Sequence, residues 1–506
     1  MRYTTGRRSF LQLCAVGGVS VQLFGGLERI VADETQNGVG SVDLVRFSPD
    51  LEPLVQLIEN TSREHCISAV VKSLRAGTTY RELMTALYLA GIRNLSPSPG
   101  GALHAVFVIH SAHTLGMDLP PKECVLPMFW AIDNFKATQA TNPATEKLTN
   151  LRRQPFSPEH SLEEFSNAME SYDAERAEAA MVGLLQSHGA IRIKDELWKQ
   201  GATDYRAIGH KAIYVAQACR TLDTVGWQHA EPILRHVIRA LTAYGTEGRV
   251  NGFNLDEQCL RTNLVHVNEV KSSLPSGWAI HEDQPQVVSE ILSAMRTADH
   301  EAVCRTVAKH LQTGHATAGA IWDAVHLMAG EIVMRQTTIR SIHAVTSTNA
   351  LHFAFNNCSR TDTRLFILLQ AVGWMCHFIK YFESLNAPFQ AKPIEALSPI
   401  SVPQASDEAI DLIFTTLTAN RETAARQALS FVQREQPTDF LHAARALVLA
   451  KGNESHRYKF PIAVFEDLEL LSPRWRPFFL AATTCYLCSS GMPDSKVMET
   501  ARELLS

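Results

Sequence analysis

The 506-residue chain lacks almost every short motif that names a reaction. It contains no Gly-x-Gly-x-x-Gly, no Gly-x-x-x-x-Gly-Lys-Ser/Thr and no Gly-x-Ser-x-Gly, which disfavours a Rossmann domain, a P-loop and an α/β-hydrolase. His-Glu-x-x-His, Glu-x-x-His and Cys-x-x-Cys-His are missing too, so a zincin, a carboxylate-bridged di-iron bundle and a covalently attached haem have no support. Excess charge of one sign is also lacking. With 47 Lys and Arg against 52 Asp and Glu, the net charge of −5 leaves no electrostatic footprint for nucleic acid or an anionic membrane. The ten cysteines follow no disulfide-framework spacing, and Cys485-x-x-Cys488 is a lone pair that reads as structural. Strand-like text is scarce: VFVI at 106–109 and AIRIKDELW at 190–198 are the main instances, and neither is bounded like a hairpin.

What remains is helical text. From Leu51 onward a 3.6-residue apolar period runs through LEPLVQLIEN, HCISAVVKSL and TTYRELMTALYLAGI. Thr79 followed three residues later by Glu82 predicts a capping box. The expected fold class is all-α. His104, His210, His315 and His442 each open an Ala-rich apolar segment, at a first spacing of about 105 residues, and Pro127, Pro232 and Pro461 start further apolar segments. Proline suits the first turn of a helix, where its missing N–H is not required. The pattern predicts diverged helical repeats of about 105 residues forming one large multi-helix assembly.

The expected organisation is a signal segment over 1–32, a polar linker over 33–50, a His-rich repeat domain over 51–385, a Pro-rich linker over 386–407 and a C-terminal helical region over 408–506. Gly6-Arg7-Arg8-Ser9-Phe10-Leu11-Gln12 resembles the twin-arginine export signal, departing from it at Gly6 and Gln12. That resemblance implies passage through the twin-arginine translocase and a periplasmic or cell-envelope location. It also implies folding under reducing conditions before export, so the cysteines need not pair.

Twenty histidines are the main compositional clue. The densest stretch is Gly314–Phe355, with His315, His326, His343 and His352 beside Asp323 and Glu331. Small residues at 316, 318–320, 329 and 330 suggest room for a ligand. Asp323 and His326 are three apart on a helix, a spacing that lets a carboxylate and an imidazole converge. His110 and His113 share a face for the same reason, while His104 falls off it. The candidate site residues are therefore His104, His110, His315, Asp323, His326, His343 and His352, with Asp323 and His326 expected in one cavity with His343 or His352. Imidazoles in such a set ligate a metal, move protons near neutral pH or orient a polar ligand. Trp130, Trp227, Trp322 and Trp374 lie beside these stretches, as aromatic walls for a flat ligand or as packing between helices.

HAVFVIHSAHTLG, GHATAGAIWDAVHLMAG and IHAVTSTNALHFAF resemble the His-rich helices of the questin oxidase-like family, in patches between residues 65 and 380. The resemblance attaches to His104, His110, His315, His326, His343 and His352. It implies an all-α oxidoreductase that cleaves aromatic polyketide rings oxidatively with a reduced nicotinamide; a metal is a second cofactor that the histidines themselves suggest. The spacing of His104 and His110 and the export signal depart from what the family implies. Two functions follow as expectations: an exported oxidoreductase acting on a small hydrophobic or aromatic molecule, or a non-catalytic helical-repeat protein that binds a ligand or partner with its histidines structural.

Overall fold

The computed structural model describes residues 44–98, 100–141, 147–245, 255–385 and 392–506. The twin-arginine text and the signal segment lie outside these residues. The first helices are α1 (Glu52–Asn60), α2 (Arg63–Arg75), α3 (Tyr80–Asn94), α4 (His104–Met117) and α5 (Leu126–Thr141). Next come α6 (Pro158–Glu170), α7 (Ala174–Ser187), α8 (Ala190–Thr203), α9 (His210–Val225) and α10 (Ala230–Thr242). The middle of the chain forms α11 (Leu255–Val270), α12 (Pro285–Thr297), α13 (His300–Thr313), α14 (Ala318–Arg335), α15 (Ile342–Asn357) and α16 (Thr361–Glu383). The chain ends with α17 (Ser406–Ala419), α18 (Arg421–Arg434), α19 (Thr438–Lys451), α20 (Ser455–Leu470), α21 (Arg476–Thr484) and α22 (Lys496–Leu505). No strand occurs among the described residues, only an isolated bridge between Leu44 and Thr149, so the protein is all-α. VFVI lies within α4 and AIRIKDELW within α8.

Local signals behave as their chemistry requires. Thr79 caps α3 by accepting from Glu82 N (3.2 Å), and Glu82 Oε2 accepts from Thr79 N (2.7 Å). Pro127 and Pro232 sit in the first turns of α5 and α10. Pro461 does not: it lies inside α20, which runs on through it. Apolar text on both sides of Pro461 is buried, and that packing outweighs the missing backbone bond.

Several histidine-bearing helices are buried along most of their length, which makes them core helices rather than surface ones. Four of them close a circuit: α4 packs on α9, α9 on α15, α15 on α20, and α20 back on α4. The long helix α16 packs beside α15 and α14. It is the one described helix long and apolar enough to cross a membrane, and 89% of its apolar window is buried inside the fold.

Two expectations about organisation change. The C-terminal region does not stand apart, because α20 packs on α4 and α15, and α21 on α14. Residues from 43 onward form one compact unit. The described part of the Pro-rich stretch is itself pinned to the core, with Ile394 N donating to the buried Glu331 Oε2 (2.9 Å). Prolines mark an irregular backbone; they carry no information about whether the flanking helices share a core. The repeat register also shifts. His104 and His210 are the first residues of α4 and α9, but His315 lies three residues before α14 and His442 is the fifth residue of α19, both exposed. In the second half of the circuit the helix-opening histidines are His343 and His456, each the second residue of its helix.

Candidate functional site

The four helices of the circuit bring their opening histidines together. His210 Nε2 lies 3.1 Å from His104 Nε2 and 3.1 Å from His343 Nε2. The His456 ring centre is 4.4 Å from that of His104 and 5.2 Å from that of His343. Lys459, one turn along α20 from His456, places its Nζ against His104 Nδ1. His210, His343, His456 and Lys459 are buried and His104 half-buried.

Each ring is oriented from behind. His210 Nδ1–H donates to Ala207 O (2.6 Å), and His343 Nδ1–H donates to Ile339 O (2.6 Å). His456 Nδ1–H donates to Glu454 Oε2 (2.6 Å), a carboxylate that also caps α20 by accepting from His456 N. A carbonyl or carboxylate can only accept, so these contacts set the tautomers: in the neutral rings of His210, His343 and His456, Nε2 carries a lone pair. His456 Nε2 has no hydrogen-bond partner.

The turn ahead of His210 is held under strain. Ile208 has φ 49° and Gly209 φ 87°. A β-branched residue in the left-handed region is costly, and such strain concentrates at functional positions. The turn is tied down by a buried ionic knot in which Asp204 Oδ2 takes Lys211 Nζ (2.7 Å) and Arg206 Nη2 (2.6 Å). Burial works against the Asp204 charge, but Arg206 and Lys211 together hold its carboxyl below the usual range.

Burial, reinforced by neighbouring cations, keeps the imidazoles neutral. It pushes His210 down to about 3 and His104 and His343 well below the ordinary value. For His456 burial outweighs the pull of Glu454. Lys459 is pushed down to about 7 by its burial. Behind the cluster, between the same four helices, lies a cavity of about 10 Å³ lined by Lys459, Thr346, Asn349, Arg220, Ser111 and Gln217. That is room for one water, and Ser111 Oγ and Gln217 Oε1 lack partners in the protein.

The seven expected residues divide among five places. His104 and His343 join the cluster. His326 and His352 form a second buried pair, with Nε2 to Nδ1 at 2.8 Å, His352 stacked on Trp322 at 4.2 Å, and Asp467 Oδ2 3.5 Å from His326 Nδ1. Asp323 does not join His326. Its oxygens accept from Ser472 N (3.0 Å) and Ser472 Oγ (2.5 Å), with His281 Nε2 at 3.3 Å. His110 lies on α4 beside His113 and Thr114, outside the cluster. His315 is on the surface, its ring 4.5 Å from that of His310, with Glu290 bridging the two.

The small residues of α14 serve packing rather than a cavity. A Cβ on Gly319 would meet the His281 backbone at 2.4 Å, and one on Gly330 would touch Phe479, Ala482 and Ile394. The tryptophans likewise pack, Trp130 stacking on Tyr458 at 4.0 Å and Trp374 lying buried against Tyr205. Cys485 and Cys488 are buried and unpaired, their thiols pushed up by burial to about 12 and about 11, as inert cysteines are.

No family model, no curated protein and no solved structure matches this chain. The site is therefore read from its own geometry. Sequence reading missed His210 as a site residue, along with His456 and Lys459. The signal that marks the two histidines is position: an imidazole in the first or second place of its helix, as in HAVFVI, HKAIYV, IHAVTS and SHRYKF.

Proposed function

We propose that the protein is an oxidoreductase of the questin oxidase-like kind, acting on a hydrophobic, aromatic small molecule at the cluster of His104, His210, His343, His456 and Lys459. The convergence of these five side chains carries the reading. Burying five proton-accepting groups with one carboxylate among their partners costs stability, and such clusters are retained where they do chemistry. In the reaction, one atom of dioxygen enters the bond beside a ring carbonyl and the other leaves as water. The reduced nicotinamide gives up a hydride and solvent supplies the one proton that completes the water. Neutral imidazoles at that point accept and return protons. Substrate reaches the cluster from the side of His104, the half-buried member.

One observation favours a second reading. The cavity behind the cluster has room for a single water and not for an aromatic ring, as befits a non-catalytic helical-repeat protein whose histidines are structural. Oxygen uptake and nicotinamide oxidation over a panel of aromatic polyketides separate the two. Uptake in step with nicotinamide oxidation, lost in His343→Leu, supports the oxidoreductase. A folded protein with no uptake above that of the variant leaves the second reading.

A further inference from the structure

The Nε2 atoms of the cluster face one another with too few protons between them. His210 and His343 each spend Nδ1–H on a backbone carbonyl, so both present lone pairs at Nε2 across 3.1 Å. His104 has at most one Nε2–H, which can serve His210 alone. His456 Nε2 adds a third lone pair, buried and without a partner. One ligand atom from each of His104, His343 and His456 falls within 4.8 Å of the others.

We propose that His104, His343 and His456, each through one ring nitrogen, bind a first-row transition-metal ion, with His210 as their neighbour. It uses the side chains of the proposed oxidoreductase site, yet its readout is independent of turnover. The spacing fits. Two imidazole nitrogens about 2.0–2.1 Å from one ion lie about 2.9 Å apart at a right angle and about 3.4 Å apart at the tetrahedral angle, and the three ligand atoms, all within 4.8 Å of one another, reach that by small ring movements. The rear contacts are those that metal-bound histidines make: Nδ1–H to a carbonyl for His343, and to a carboxylate for His456.

The donor set also chooses the class of ion. Calcium, magnesium and manganese call for oxygen ligands. The one carboxylate at hand, Glu454, is turned to the rear of His456 and to Tyr486. An all-imidazole set suits zinc, copper, iron or nickel. A lone shared proton relieves one pair of facing nitrogens and leaves His456 unanswered, whereas an ion answers all of them.

The test uses the full chain, stripped with a chelator and titrated with cobalt(II), copper(II) and zinc(II). One ion per chain is expected, with cobalt ligand-field absorption and an X-ray absorption spectrum showing imidazole nitrogen alone. His343→Leu should abolish binding, and His315→Ala, at the exposed Glu290–His310–His315 group, should leave it unchanged. Glu454→Gln keeps every ligand and removes the rear carboxylate of His456, so affinity should fall about 10- to 100-fold. No ion at micromolar metal, oxygen ligands, or an ion lost in His315→Ala but kept in His343→Leu overturns the proposal. If His343→Leu fails to fold, unchanged affinity in Glu454→Gln does so. An ion bound without turnover sinks the oxidoreductase reading alone; turnover by a protein that takes up no ion at micromolar metal sinks the metal alone.

Discussion

Replacing Gly209 by alanine tests whether the turn before His210 sets the spacing of the cluster. Gly209 has φ 87°, and a Cβ there would lie 2.4 Å from Ser347 Cβ on α15. Two costs add. An L-residue in the left-handed region costs about 1–2 kcal/mol. Forcing two carbons from 2.4 Å toward van der Waals distance is overpacking, worth about 1–3 kcal/mol. Gly209→Ala should therefore destabilise by about 2–5 kcal/mol, read as a lowered urea midpoint. It should also push the start of α9 away from α15, and with it His210 from His343, so metal affinity should fall as well. Ser347→Gly removes the atom that clashes. In a double-mutant cycle the two changes should couple by about 1–3 kcal/mol, leaving mainly the backbone term. An alanine variant within about 0.5 kcal/mol of wild type, or strictly additive changes, would refute this account of the turn.

Three further outcomes follow from other parts of the fold. The hydrogen bond to Asp323 raises the imidazole of His281 above its ordinary value, burial notwithstanding. The stabilisation it gives is fully present below about pH 6.5, the unfolded value, and disappears as pH rises through the higher folded value. The melting-temperature gap between wild type and His281→Gln should accordingly be wider at about pH 5.5 than at about pH 8.5, and a gap independent of pH would contradict it. Glu331→Ala strips Arg296 of one of its two carboxylates and Ile394 N–H of its acceptor; breaking that buried pair should cost about 3–5 kcal/mol in urea unfolding, and a loss below about 1 kcal/mol would place it with surface ion pairs. Arg7→Lys with Arg8→Lys should hold the protein in the cytoplasm, as fractionation of producing cells would show; unchanged export ends the twin-arginine reading.

By itself the sequence determined the helical class, because the 3.6-residue period and the Thr79–Glu82 cap are local and need no partner to be legible. It also singled out His104 and His343, and it excluded the motif-borne chemistries. Which histidines meet was decided only in the tertiary structure. His326 and Asp323 share a helix at a spacing of three, yet each turns to a different partner brought from α20 or the residues after it, Asp467 for one and Ser472 for the other. His104 and His456 open helices roughly 350 residues apart in the chain and still lie ring to ring, because α20 packs on α4. Small residues in α14 looked like room for a ligand and proved to be close packing, since a missing side chain can be filled by a neighbouring element as readily as by a ligand. Helix periodicity fixes which residues share a face. It carries no information about which face meets which, and that pairing, set by the burial of four core helices against one another, is what assembled the site.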